Sequence, residues 1–134
     1  MVRGSVVAVG VKVHPTENYF VIKVSGDTDA ETVAAAYSEA IESAEYQHNM
    51  NCMWDICDTK LSQFSMTEVR ELVQLVKQYS SQRGADYKVA ILTLNNVDYQ
   101  LLRVYSSFFR LAGKFRMKVV NQPDLAKTWI TAED

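Results

Sequence analysis

Hydrophobic and polar positions change period several times along this chain, and each change marks an element. Val6, Val7, Val9, Val11 and Val13 alternate loosely over residues 5–13 and predict a strand. His14-Pro15-Thr16-Glu17-Asn18 is turn chemistry, and Tyr19 to Val24 is a second β-rich run. So short a connection implies an antiparallel hairpin. Thr28 and Glu31 stand at capping-box spacing and open a helix whose Ala30, Val33, Ala34, Tyr37, Ala40, Ile41 and Ala44 share one face.

Residues 51–57 predict a third strand, followed by a polar turn. Ser65 and Glu68 form a second capping box, and the helix they open is expected to bury Met66, Val69, Leu72, Val73, Val76 and Tyr79. Arg83-Gly84-Ala85-Asp86 ends it, with Gly84 suited to a left-handed C-cap. Tyr87 to Leu94 is a near-continuous apolar run, the pattern of a central parallel strand. Asn95-Asn96 caps a third helix over about 97–112, with Val97, Leu101, Val104, Phe108 and Leu111 as its buried stripe, closed by Gly113. Lys114 to Val120 alternates as a fifth strand. Pro123 opens a last helix held down by Leu125, Ala126, Trp129 and Ile130.

The order is ββαβαβαβα. It predicts an α/β fold with a mostly parallel five-stranded sheet, an antiparallel edge strand and four helices. The 134 residues suit a single domain over 1–134.

Charge adds one feature. The formal net charge of −2 gives no reason to expect nucleic acid. Yet Asp27, Asp29, Glu31, Glu39, Glu42, Glu45, Asp55 and Asp58 fall between Val24 and Thr59 with no Lys or Arg among them. Arg103, Arg110, Lys114, Arg116 and Lys118 fall between Tyr99 and Pro123 with no acid. This asymmetry marks two solvated helix faces, or steers a partner or a second copy head to tail. No run has the length and flanks of a signal peptide or a membrane span, so no membrane insertion is expected. Cys52 and Cys57 lie at odd spacing on one strand, hence on opposite sheet faces and unable to bridge there. Two reduced thiols fit a cytoplasmic protein.

Several stretches together carry a family resemblance. They are Tyr19-Phe-Val-Ile-Lys-Val-Ser-Gly26, Trp54-Asp55, Phe64-Ser-Met-Thr-Glu-Val-Arg-Glu-Leu72, Arg83-Gly84, Lys88-Val-Ala-Ile-Leu92, Tyr99 to Tyr105, and Leu125-Ala-Lys-Thr-Trp-Ile130. Across about residues 16–131 the chain resembles the SpoIIAA-like, STAS/SEC14-type small bacterial domains. The resemblance implies a SpoIIAA/STAS-like fold and a regulatory or interaction role. In anti-sigma-factor antagonists of similar layout, a partner kinase phosphorylates a serine in an Asp-Ser-Ser/Thr-Gly-like turn. Here that turn is Gln63-Phe64-Ser65-Met66, with Phe64 at the first serine position, Ser65 next, and neither the Asp nor the glycine.

The candidate chemistry gathers where the third strand ends, since ligands of open α/β sheets bind outside the carboxyl ends of the strands. Asp55, Asp58, Ser62, Ser65 and Asn95 are the ligand-binding or phospho-site candidates. Ser65 is read first as an N-cap and alternatively as a phosphoacceptor or anion contact. Asp55 is read first as a turn-bonding residue and alternatively as half of a carboxylate pair with Asp58. His14 and His48 have no ligand-spaced neighbours, so no metal and no cofactor are expected. Cys57 has no histidine nearby, and no phosphate loop, nucleophile elbow or dinucleotide fingerprint occurs, so no catalytic residues are assigned. On the third helix, Leu102, Arg103, Tyr105, Phe109 and Arg110 are either an aromatic and arginine interface or extra core. The expected function is a non-enzymatic interaction domain binding a protein partner or itself as a homodimer. The alternative is a sensor of a small anionic, nucleotide or lipid ligand at the C-terminal end of the sheet.

Overall fold

The computed structural model describes residues 8–26, 29–60, 65–110 and 115–132. Strand β1 (Ala8–His14) turns through the left-handed Asn18 into β2 (Tyr19–Ser25), and the two pair antiparallel from Ala8↔Ser25 to His14↔Tyr19. Helix α1 (Ala30–Glu42) leads to β3 (Asn51–Asp58), which lies parallel to β2. Helix α2 (Met66–Gln78) and the short α3 (Ser80–Arg83) lead to β4 (Lys88–Leu92), parallel to β3. Helix α4 (Asn96–Arg110) leads to β5 (Arg116–Val120), parallel to β4, and α5 (Pro123–Thr131) follows. The sheet runs β1-β2-β3-β4-β5. The expected class and sheet are therefore present, with five helices rather than four, because the chain breaks at Tyr79 and restarts as α3.

Sequential strand order has a consequence. Right-handed crossovers that always step the same way deposit every crossover helix on one face. Phe20, Ile22, Val24, Cys52, Ile56, Val89 and Ile91 point to that face and pack with Tyr37, Ala40 and Ile41 of α1 and Leu102 of α4. The opposite face offers Tyr19, Met53, Ala90, Leu92 and Val120 to Ala126 and Ile130 of α5. Cys52 faces the first cluster and Cys57 packs on the second, as their odd spacing requires.

Several expected helix details are corrected. The N-cap of α1 is Asp29, whose Oδ1 accepts from the Thr32 amide at 2.8 Å, and Thr28 lies outside the described residues. In α5, Ala126 and Ile130 are buried but Leu125 is exposed. Only Val69 of α2 is fully buried, Met66 is exposed, and Leu72, Val73, Val76 and Tyr79 are half-buried. The reason is that α2 packs mainly on α1 and α4 and stands off the strands. The stripe expected on α4 is also turned. Val97, Val104 and Phe108 face outward, while Leu102 is buried and Tyr105 and Phe109 are half-buried on the inner side. This helix carries two apolar stripes, and its seat over β5 decides which one faces in. Leu111 and Gly113 lie outside the described residues.

Candidate functional site

At the carboxyl ends of the strands, the polar groups singled out in the sequence hold local backbone. Half-buried Asp55 accepts at Oδ1 from the Cys57 amide at 3.2 Å. Asp58 is exposed, and its carbonyl accepts from the Gly26 amide at 2.8 Å. Ser65 is the N-cap of α2: its Oγ accepts from the Glu68 amide at 3.1 Å, and Glu68 Oε1 accepts from the Ser65 amide at 3.2 Å. Glu68 Oε2 also accepts from the Ala30 amide at 3.1 Å, so one carboxylate serves the starts of both α1 and α2. Helix N-termini attract anions through their unpaired N–H groups and dipole; here a side-chain carboxylate already holds both. Asn95 caps α4, its Oδ1 accepting from the Asp98 amide at 3.0 Å. Ser62 lies outside the described residues.

The open space lies elsewhere. Because α2 stands off the sheet, an apolar cavity of about 120 Å³ remains between them. Cys52, Trp54 and Ile56 of β3 and Val89 and Ile91 of β4, joined by Tyr87, form its floor. Val69, Leu72, Leu75 and Val76 of α2 roof it, and Tyr37 of α1 and Leu102, Tyr105 and Phe109 of α4 close its sides. Three of the five residues expected as an interface thus line this apolar space, while Arg103 and Arg110 are exposed. The floor residues alternate along each strand, so from Cys52 to Ile56 or from Tyr87 to Ile91 the space follows the sheet for roughly 13 Å, at ~3.3 Å per residue.

Beside one end of this cavity sits Arg83, at 0% exposure. Its guanidinium lies 3.8 Å from the Tyr87 ring centroid and within reach of the Phe20 and Tyr46 rings, at 5.2 and 5.7 Å. Nε donates to the Tyr37 hydroxyl at 3.1 Å, and Nη1 donates to the Tyr46 hydroxyl at 3.0 Å and to the Met50 carbonyl. Nη2 has no hydrogen-bond partner among the described residues. The arginine is delivered by α3 and by a backbone that only glycine adopts easily: Gly84 has φ 97° and ψ −167°. Asn49, with φ 64°, donates its amide to the Arg83 carbonyl at 2.8 Å and locks the turn.

Burial pushes the Cys52 thiol up to about 12 and raises the Tyr37 phenol well above its ordinary range, so both are neutral around Arg83. Burial likewise lifts the Cys57 thiol, to about 11, with the Asp55 carboxylate beside it adding to the effect. Among the described residues, no group of three His, Cys, Asp or Glu is placed to hold a metal ion. Nor is any helix of the described residues long and apolar enough to cross a membrane.

Sequence reasoning singled out Arg83 only as a helix end and missed its environment. Its partners come from β2, α1, the loop before β3 and the residue before β4, and no local spacing joins them. A faint signal was available: an arginine just before a glycine.

No family model matches this sequence. No curated protein matches it either. Among solved structures, the chain is similar to an uncharacterized protein from Shewanella loihica PV-4 of the DUF3478 family with a SpoIIAA-like fold. The TM-score is 0.63 at 16% sequence identity, covering 97% of this chain and 98% of that one.

Proposed function

From the premise of a SpoIIAA-like fold, we propose that this chain is a non-enzymatic binding domain that takes a small apolar molecule, or the apolar part of a larger one, between α2 and the sheet. A single observation carries the reading: α2 packs on its neighbouring helices and leaves a lined, apolar space over the centre of the sheet. Ligand pockets are concave and mostly apolar, and a dry cavity of comparable size is known to take up a benzene-sized guest. The side chains of Asp55, Ser65 and Asn95 at the carboxyl end are committed to backbone, which favours the cavity over an anion or nucleotide site there. The test is methyl-detected NMR and thermal shift with benzene and 1-octanol. Saturable shifts at Leu72, Val89 and Leu102, lost in Leu72→Trp, are expected. Absence of any shift at these methyls, at the solubility limit of either probe, overturns the reading.

A second reading keeps self-association. Leu94, Val97, Val104 and Phe108 form an outward apolar stripe on and before α4, and the exposed Arg103 and Arg110 lie farther round the same helix. The outward face of α1 carries exposed Glu31, Glu39 and Glu42, with Glu45 just beyond it. An apolar stripe on a helix with exposed arginines, and a second helix with an exposed acidic face, suit a second copy of this chain placed head to tail. Light scattering across a salt series tests this, and a monomer at millimolar concentration in low salt refutes it.

A further inference from the structure

The cavity reading leaves open what chemistry its guest carries, and Arg83 bears on that. The guanidinium is fully buried, and its partners are two phenols, a carbonyl and aromatic faces. None of these partners is a carboxylate, and burial holds Tyr37 and the nearby Cys52 in their neutral forms. A buried charge is ordinarily paired, because its lost hydration is otherwise uncompensated.

Geometry adds direction. In a planar guanidinium, Nε–H and Nη2–H share one edge, the edge that grips a carboxylate through two parallel bonds. Here Nε meets the Tyr37 hydroxyl, and Nη2 has no hydrogen-bond partner among the described residues. Tyr37 and Tyr87, which both touch the guanidinium, also line the cavity. The half-used edge thus meets a side chain, Tyr37, that also lines the cavity. Tyr37 stacks on Trp54, and the Tyr79 ring meets it edge-on, so its displacement would be sensed by both β3 and α2.

We propose that the cavity binds an amphipathic organic anion, its apolar body along β3 and β4 and its carboxylate on the Nε/Nη2 edge of Arg83 in place of the Tyr37 hydroxyl. The inference rests on the reading of the cavity as a ligand site and adds the charge of the ligand to it. Binding neutralises the buried cation, and an uncharged molecule of the same length lacks that contribution.

The experiment compares octanoate with 1-octanol by calorimetry on the intact chain, with the Arg83 Nε–H resonance followed in parallel. Octanoate is expected to bind at least tenfold more tightly than 1-octanol and to shift the Arg83 signal, which 1-octanol leaves in place. In Arg83→Lys the charge remains but the two-pronged edge is gone, so the preference for octanoate falls by several-fold. Should that variant fail to fold, the wild-type comparison and the Arg83 signal decide alone. Equal affinities with an unmoved Arg83 signal overturn this proposal and leave the cavity reading standing. Failure of both probes to bind overturns the two together.

Discussion

Replacing Gly84 by alanine tests how Arg83 is held. A Cβ at this position would stand 2.0 Å from Asn49 Oδ1 and 2.9 Å from His48 Nε2, closer than real atoms approach. The backbone at φ 97° and ψ −167° adds a second penalty, of about 1–3 kcal/mol for a non-glycine residue. Moving the Asn49 side chain also removes its acceptor from the Asp86 amide, now at 3.0 Å, a loss of about 1 kcal/mol. Together these give a destabilisation of about 3 kcal/mol. With a urea dependence of about 1.5 kcal/mol per molar, the unfolding midpoint drops by about 2 M. Urea titration followed by circular dichroism measures it. The double variant Asn49→Ala/Gly84→Ala removes the closest clash, that with Asn49 Oδ1, so its cost should fall short of the two single costs added together, by about 1 kcal/mol. A Gly84→Ala protein within about 0.5 kcal/mol of wild type would show that this turn does not constrain Arg83, and the reasoning fails.

Other outcomes follow from single contacts. Ser65→Ala should cost about 1 kcal/mol in urea titration through loss of the α2 cap. Glu68→Ala should cost more, about 2 kcal/mol, because it frees the amides of both Ser65 and Ala30; equal costs would contradict the shared cap. Cys52 titrates near 12 when folded against an ordinary thiol value of 9.0. Its contribution to stability is therefore intact below about pH 9 and is lost as pH rises toward 12, by roughly 1.4 kcal/mol per pH unit. Ellman's reagent at pH 8 should accordingly leave Cys52 unmodified until the chain unfolds. Val104→Glu should abolish any concentration-dependent increase in mass seen by light scattering, while the urea midpoint stays within about 0.5 kcal/mol of wild type, as expected of an exposed position.

What local spacing controls was legible without coordinates. The hairpin at His14–Asn18, the capping box of Ser65 and Glu68, the cap at Asn95 and the alternation in β5 each depend on residues a few positions apart. The element order then constrains the handedness of the crossovers. The sequence alone could not say which of the two apolar stripes on α4 faces inward, nor that α2 would stand clear of the strands. Both depend on three crossover helices sharing one sheet face, a crowding visible only when all three are in place. The surroundings of Arg83 belong to the same category. Phe20, Tyr37, Tyr46 and Tyr87 span much of the chain, and only the packed fold brings their rings around one cation. Local chemistry chose the strands and helices, and tertiary packing decided where the space and the charge would lie.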